Sequence, residues 1–245
     1  MTGRAADGGA GHEPGQARRG RAPENKTTAP RCPSRRTGRG TATCAELRRV
    51  AADLFLAHGY DGVSLDAIVA EAGGSKTNVY AFFGGKEGLF EAALAHACAD
   101  ILAPMDAVRV EGLSLEEGLA RLGRALLDLL LTPRSVALFR IAISATGRFP
   151  RLGAVWFASG PATSQAIFAR FITSRLGEAP LREGQAPDAA VLARLFHDMT
   201  VQELLHRALF EPAAGPAARD EAARTAAAAV AALVAGLVAA GAEEG

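Results

Sequence analysis

The segment from Ser64 to Phe90 constrains the fold more than any other part of this 245-residue chain. It contains two short helical patterns joined by Gly73 and Gly74, and glycine adopts without strain the positive φ that a tight turn needs. Ser64 and Ser75 each precede a helical pattern, where a hydroxyl can cap the free N–H groups of the first turn. Two short helices joined in this way are typical of the helix-turn-helix, whose second helix enters the major groove of DNA.

The composition around this segment favours helices. Hydrophobic residues make up 49% of the chain but aromatic residues only 6%, and alanine and leucine, which are strong helix formers, supply most of the apolar positions. The sequence shows no sustained alternation of apolar and polar residues of the kind that strands show. We therefore predict an all-α protein of about nine helices, including a long one over residues 152–176 with a possible break at Gly160–Pro161.

Changes in composition divide the chain into three predicted parts. Residues 1–40 are rich in Gly and Pro and carry almost no large apolar side chains, so we expect a disordered arm. Residues 41–90 form the predicted helix-turn-helix domain. Residues 91–245 supply the remaining helices and form a larger C-terminal domain.

Charge is distributed unevenly between these parts. Residues 1–40 hold nine Lys and Arg against three Asp and Glu, whereas the rest of the chain holds 18 against 23. Between residues 43 and 102 the bases are only Arg48, Arg49, Lys76 and Lys86. Because neutralisation of phosphates supplies much of the affinity for DNA, the basic arm has two open interpretations: it contacts DNA, or it is merely arginine-rich disorder.

Other features indicate a cytoplasmic protein. Cys32, Cys44 and Cys98 have no metal-ligand spacing and are odd in number, so we expect free thiols, and the first forty residues lack the apolar core of a signal peptide. The last helix includes TAAAAVAALVAGLVAAGA, which is long enough to span a membrane. Alanine is only weakly hydrophobic, however, and small residues suit close helix packing. We predict a core or subunit-interface helix and no membrane association.

From about Ala45 to Phe90 the chain resembles the DNA-binding domain of the TetR/AcrR family of transcriptional regulators. The resemblance rests on AADLFLAHGY, VSLDAIVAEAG and SKTNVYAFFGGKEGLF, in which Tyr80, Phe83 and Lys86 match the family's Tyr-x-x-Phe-x-x-Lys run. The later stretch ALFRIAISATGRFPRLGAVWFASGP is similar to one C-terminal subclass. One departure is Gly74, where the family usually has an apolar residue, so a packing contact at the turn should be missing.

The resemblance implies an all-α homodimer with three-helix DNA-binding heads. It also implies a C-terminal domain that dimerises and binds a small-molecule effector, whose binding usually releases the operator. We accordingly expect a ligand-responsive regulator, a repressor released from a palindromic DNA operator by an apolar effector. The alternative from another class is a helical ligand-binding or membrane-associated protein whose head has lost DNA binding.

The second helix of the motif has one face for packing and one for DNA. Val79 and Phe83 lie four residues apart and should pack inward, which leaves an opposite face that can contact bases and phosphates. Tyr80 is assigned to a phosphate by the family resemblance, and the alternative for each of these side chains is a solvated or packed role. The predicted DNA-contacting set is Ser64, Ser75, Lys76, Thr77, Asn78, Tyr80, Ala81, Phe82 and Lys86.

Large apolar side chains in the C-terminal part are candidate walls of an effector pocket, although aromatic residues at helical spacing are usually ordinary core. His197 and His206, with Glu203, lack a further ligand pattern, so we expect no metal and no other cofactor. The sequence contains no phosphate-binding glycine loop, nucleophile elbow or H-E-x-x-H motif, so we do not expect an enzyme. The predicted pocket residues are Phe139, Trp156, Phe168, Phe171 and Met199.

Overall fold

The computed structural model describes residues 38–177 and 188–243, with side chains between residues 43 and 236. This part of the chain contains ten α-helices, one 3-10 helix and no strand, which confirms the all-α prediction. In chain order the helices are α1 (Gly38–His58), α2 (Leu65–Ala72), α3 (Lys76–Phe83), α4 (Lys86–Leu102), the 3-10 helix (Ala103–Ala107), α5 (Leu115–Leu130), α6 (Pro133–Thr146), α7 (Leu152–Ser159), α8 (Pro161–Leu176), α9 (Ala189–Phe210) and α10 (Pro216–Glu243).

The observed helices differ from the predicted helix and domain boundaries at three places. Helix α1 begins at Gly38 and so includes the last three residues of the predicted arm, while residues 1–37 lie outside the described residues. The long helix predicted over residues 152–176 is two helices, because Pro161 has no backbone N–H to continue α7 and instead occupies the first turn of α8. Helix α4 runs across the predicted domain boundary between residues 90 and 91.

Local capping fixes where several helices begin. At the start of α5, the Ser114 hydroxyl accepts the backbone N–H of Glu117, and a Glu117 carboxylate oxygen accepts the backbone N–H of Ser114 at 3.0 Å. This reciprocal arrangement is a capping box. Hydrogen bonds from Ser114 lower the pKa of the Glu117 carboxyl, so the cap is formed by the ionised side chain.

The buried apolar residues form two clusters. The first cluster joins α1–α4 to α6 and α7, and its centre includes Leu47, Ile68, Phe90 and Leu152. The second cluster joins α5, α8, α9 and α10. Helix α4 contributes to both, since its first half belongs to the first cluster and Leu102 belongs to the second.

The alanine-rich helix α10 packs against α5 and α9. Ala223, Ala226, Ala227 and Val230 are each almost completely buried, so one face of this helix belongs to the core. Small residues let the helix backbones approach closely. On the facing helix, Gly123 leaves room for Phe196 and Ala223, which a β-carbon at that position would crowd.

Another segment meets the length and hydropathy of a membrane span. It is Lys86–Ala107, comprising α4 and the 3-10 helix, and 56% of its most apolar stretch is buried inside the fold. The core helix of a globular protein has the same properties, so this one segment is weak evidence for a span.

The cysteines differ from the expectation of three free thiols. Cys98 is free and buried, and burial raises its pKa to about 12. Cys44 is disulfide-bonded, so the prediction is wrong at this position. Sequence spacing alone does not show which sulfur atoms a fold brings together.

Gly118 of α5 provides a test of the second cluster. A β-carbon there would overlap the ring of Phe171, so Gly118→Ala should lower the free energy of unfolding by about 1–3 kcal/mol through overpacking. Gly153→Ala on α7 is the control, because nothing lies within 4 Å of its added methyl group and alanine favours a helix by about 1 kcal/mol. Urea unfolding measures both. Equal stability of the two variants would contradict the packing described here.

Candidate nucleic-acid interface and ligand cavity

The two helices of the motif begin at their predicted caps. The Ser64 hydroxyl accepts the backbone N–H of Ala67 at 3.1 Å, and the Ser75 hydroxyl accepts the backbone N–H of Asn78 at 3.2 Å. Both serines lie in extended backbone before their helix. The N-termini of α2 and α3 are therefore defined by side chains, and their remaining N–H groups are oriented as helix N-termini suited to phosphate.

The glycines between these helices have different roles. Gly73 has φ 69° and ends α2 in the left-handed region, where glycine is favoured. Gly74 is outside that region, and a β-carbon there would lie 3.3 Å from Cδ2 of Leu47. Since Leu47 is completely buried, its side chain occupies the place beside the turn. The contact expected to be missing at Gly74 is thus supplied by α1.

The exposed face of α3 carries several of the predicted DNA contacts. Val79 and Phe83 are buried, which confirms their packing role. Thr77, Tyr80 and Ala81 are exposed, and Tyr80 is 59% exposed despite its size. Asn78 is half-buried beside them. Together Thr77, Asn78, Tyr80 and Ala81 present hydroxyl, amide and methyl groups on one surface, which we call the α3 face.

Phe82 lies differently from these neighbours. It is half-buried and packs against the first apolar cluster, with its ring at right angles to that of Phe83. The sequence pattern placed Phe82 on the free side of the helix. Its size explains the difference, because an aromatic ring at the edge of a short helix reaches the neighbouring core.

Two basic side chains of the head, Arg49 and Lys76, form ion pairs with carboxylates of the head itself. Lys76 Nζ lies 2.8 Å from Asp66 of α2, and this carboxylate raises the pKa of the lysine. Arg49 pairs with Glu46 and Asp53 on its own helix. Any contact of Lys76 with a phosphate therefore competes with Asp66, a partner that the sequence analysis missed.

Lys86 packs on the ring of Tyr60. Its Nζ lies 4.2 Å from the centroid of the Tyr60 ring, and desolvation lowers its pKa. Lys86 is half-buried and is therefore not a freely exposed charge, while its contact with a phosphate stays a prediction. The reason is tertiary, because the aromatic ring that attracts the ammonium group lies 26 residues earlier in the chain.

Two residues of the connection between α6 and α7 also contact the ring of Tyr60. The guanidinium of Arg148 lies 5.0 Å from its ring centroid and pairs with Asp61 at 2.7 Å, and the Phe149 ring lies 4.6 Å away. Tyr60, Asp61, Lys86, Arg148 and Phe149 are called the Tyr60 cluster below. The cluster joins the end of α1 to the connection between α6 and α7.

A cavity of about 250 Å³ lies between α4, α6, α7, α8 and α9. Phe139 of α6 and Trp156 of α7 line it, as predicted, with ring centroids 4.6 Å apart in an edge-to-face arrangement. These two helices flank the connection that carries Arg148 and Phe149. The cavity is therefore connected to the Tyr60 cluster through α6 and α7, which line the cavity and lead into the connection that carries Arg148 and Phe149.

Three of the predicted pocket residues lie elsewhere. Phe168 and Phe171 are buried in the second cluster, and Met199 is 47% exposed in a groove between α9 and α10. Helical spacing identified them as apolar positions. Helical spacing does not distinguish an inward-facing side chain that fills the core, such as Phe168, from one that lines a cavity, such as Phe139.

The polar residues of the cavity wall were not predicted as a set. Cys98, Ser164 and His197 line it and are buried, while Gln202 and His206 line it and are exposed. The sequence pattern raised the two histidines only as possible metal ligands. Within the described residues no group of three His, Cys, Asp or Glu side chains has a metal-binding arrangement.

Family models match both parts of the chain. Residues 47–93 match the model of bacterial regulatory proteins of the TetR family, and residues 117–236 match the C-terminal domain of AefR-like transcriptional repressors. The chain belongs to the TetR family of transcriptional regulators. No curated protein matches it in sequence.

Solved structures agree with this assignment. A TetR-family regulator from Mesorhizobium loti, described as putative, is 26% identical with a TM-score of 0.67, and the match covers 78% of this chain and 96% of that one. The flavonoid-responsive regulator FrrA is also 26% identical, with a TM-score of 0.62 and coverage of 79% and 95%. A protein from Pseudomonas aeruginosa described as a putative transcriptional regulator, at 19% identity, a TM-score of 0.60 and coverage of 84% and 96%, shares the fold.

The ion pair between Asp66 and Lys76 provides a test of the α3 face. Asp66→Asn removes a negative charge and frees Lys76, so we expect tighter binding to a random-sequence duplex. The slope of log K against log salt should steepen by about one, as for one added phosphate contact. Glu116→Gln, at an exposed position on α5, makes the same change in net charge and should leave the slope unaltered. Fluorescence anisotropy at several salt concentrations measures both. An unchanged slope for Asp66→Asn would contradict the assignment.

Proposed function

We propose that this TetR-family regulator is a ligand-responsive repressor, which binds a palindromic operator in the cytoplasm and releases it when a small molecule fills the cavity. The observation that carries the proposal is the position of Phe139 and Trp156, on the two helices that flank the connection holding Tyr60. We take residues 41–90 as the DNA-binding head and residues 91–245 as the effector-binding and dimerisation domain.

The α3 face is the proposed base-reading surface. Asn78 can bond the edge of an adenine, and the methyl groups of Thr77 and Ala81 can contact a thymine methyl. Tyr80, Ser64 and Ser75 would position the helix by contacting phosphates, which orient a protein on DNA without carrying sequence information.

The proposed protein partner is a second copy of this chain, which would form a homodimer. Val191, Leu195 and Met199 of α9 are exposed at intervals of four residues, and Met199 borders a groove shared with α10. Ala222 and Ala229 line the same groove, and such small residues permit close packing of helices. A dimer built on this face would be two-fold symmetric, which matches a palindromic operator.

The effector is proposed to be apolar and aromatic. The cavity walls are mainly apolar and include the Phe139–Trp156 pair. The similarity to FrrA, a flavonoid-responsive regulator, supports an aromatic ligand for this chain as well. The match to the C-terminal domain of AefR-like repressors supports repression as the direction of control.

Release of DNA requires the effector to bind one conformation of the dimer more tightly than another. A ligand between Phe139 and Trp156 would shift α6 against α7 and so move Arg148 and Phe149. Because these residues hold Tyr60 at the end of α1, the heads would move with them. The expected coupling is of the usual size, about 1–3 kcal/mol.

The first experiment selects duplexes that bind the full chain from a random pool and measures stoichiometry by sedimentation. We expect an inverted repeat bound by two chains. Tyr80→Phe should then weaken binding about tenfold across all duplexes, because it removes one hydrogen bond to a charged group. Ser144→Ala, which removes an exposed hydroxyl from α6, is the control. Failure to select any duplex would instead favour a ligand-binding protein with a degenerate head.

Arg148→Gln tests the coupling. It removes the ion pair with Asp61 and the contact with the Tyr60 ring. We expect operator binding to be retained and ligand-induced release to fall at least threefold. Arg109→Gln, which removes an exposed pair with Glu111, should respond like the wild type. Gel-shift titration with and without ligand measures the response, and undiminished release in Arg148→Gln would contradict this route.

A further inference from the structure

We infer that the cavity selects an uncharged aromatic alcohol, a phenol, whose hydroxyl donates a hydrogen bond to Nε2 of His197. The inference rests on the proposed function, because it names the ligand class of the proposed effector site. The choice of a phenol depends on the hydrogen-bond donors and acceptors that the buried residues of the cavity wall can offer to a ligand.

The described part of the wall offers no permanently charged side chain. Among the described residues that line the cavity, none is Lys, Arg, Asp or Glu. A ligand with a carboxylate or ammonium group would lose its hydration inside an apolar cavity without gaining an ion pair, which costs several kcal/mol. The cavity therefore disfavours ionised ligands.

His197 presents an acceptor to the cavity. The residue is only 6% exposed, and its Nδ1 lies 3.1 Å from a carboxylate oxygen of Asp198. A carboxylate only accepts hydrogen bonds, so the bond places the proton on Nδ1. In the neutral ring Nε2 then carries the lone pair. The hydrogen bond described for this ring uses Nδ1, so a ligand hydroxyl that donates to Nε2 would add a hydrogen bond.

Ser164 is a second acceptor in the same wall. Its side chain is buried, and its hydroxyl donates to the backbone carbonyl of Pro161 at 3.0 Å. The hydrogen is thus committed within α8, and only lone pairs of the oxygen remain. Cys98 adds a thiol that stays protonated, because burial raises its pKa to about 12. The two buried oxygen and nitrogen acceptors therefore call for a ligand that donates.

Size and shape restrict the ligand further. The cavity of about 250 Å³ is smaller than the range of ~300–1,000 Å³ common for ligand sites, so a compact molecule of one or two rings fits. The edge-to-face pair of Phe139 and Trp156 offers ring faces and edges on which an aromatic ligand packs favourably. A phenol combines the ring with the required donor.

The test compares three probes of similar shape by titration calorimetry: 4-propylphenol, 4-propylanisole and 4-propylbenzoate. The phenol should bind at least tenfold more tightly than the anisole, whose methyl group replaces the donor, and more tightly than the ionised benzoate. Trp156 is the only tryptophan of the chain, so a change in its fluorescence locates binding in the cavity. Equal affinity of phenol and anisole, or no binding of the phenol, overturns the inference.

Substitutions identify the acceptor. His197→Leu should abolish the preference for phenol over anisole, and a preference that survives in the folded variant contradicts the assignment. His197→Gln, which keeps an acceptor oxygen, should retain part of the preference. If His197→Leu does not fold, His197→Gln decides the question, because it must bind phenol more weakly than the wild type while still preferring it to anisole. His58→Leu, at an exposed histidine at the end of α1 that does not line the cavity, should keep the full preference.

Gel shifts with the same probes separate this inference from the proposed function. If the phenol binds with the expected preference but leaves the operator bound, the ligand class stands and the proposed response fails. If anisole and phenol release the operator equally well, the response stands and the inferred ligand class fails.

Discussion

Helix α4 is buried by both apolar clusters, and this shared burial holds the two halves of the molecule together. Leu89 and Phe90 lie in the core of the head, whereas Leu102 lies in the core of the C-terminal helices. Between them, Cys98 and Ile101 line the cavity. Because protein interiors are close-packed, a helix in this position transmits a displacement at one end to the other. The proposed response to a ligand depends on this arrangement.

The Tyr60 cluster is the second connection, and each of its polar contacts is weak. An exposed ion pair such as Arg148–Asp61 contributes about 0–1 kcal/mol, and a cation near an aromatic ring about 0.5–2 kcal/mol. These magnitudes match a typical coupling free energy of about 1–3 kcal/mol. A ligand with modest preference for one conformation has enough free energy to rearrange such a connection, whereas a large apolar interface would resist it.

Local interactions made part of the site predictable from sequence. Ser64 and Ser75 cap their helices through bonds to residues three positions away, so the pattern alone located the motif. Lys76 is held by Asp66 across the turn, and Lys86 by Tyr60. These partners are brought together by tertiary packing, which sequence periodicity does not specify. The same limit explains why Phe139 and Phe168, both apolar and helical, were assigned together although only the first borders the cavity.

The central claim is that operator and ligand compete through one conformational equilibrium. Thermodynamic linkage requires each to weaken the other by the same factor. The most direct measurement is a titration of ligand against the fluorescence of Trp156, with and without saturating operator duplex. We expect the operator to weaken ligand binding by the same factor by which the ligand weakens operator binding. Ligand affinity that is unchanged by the operator would contradict it.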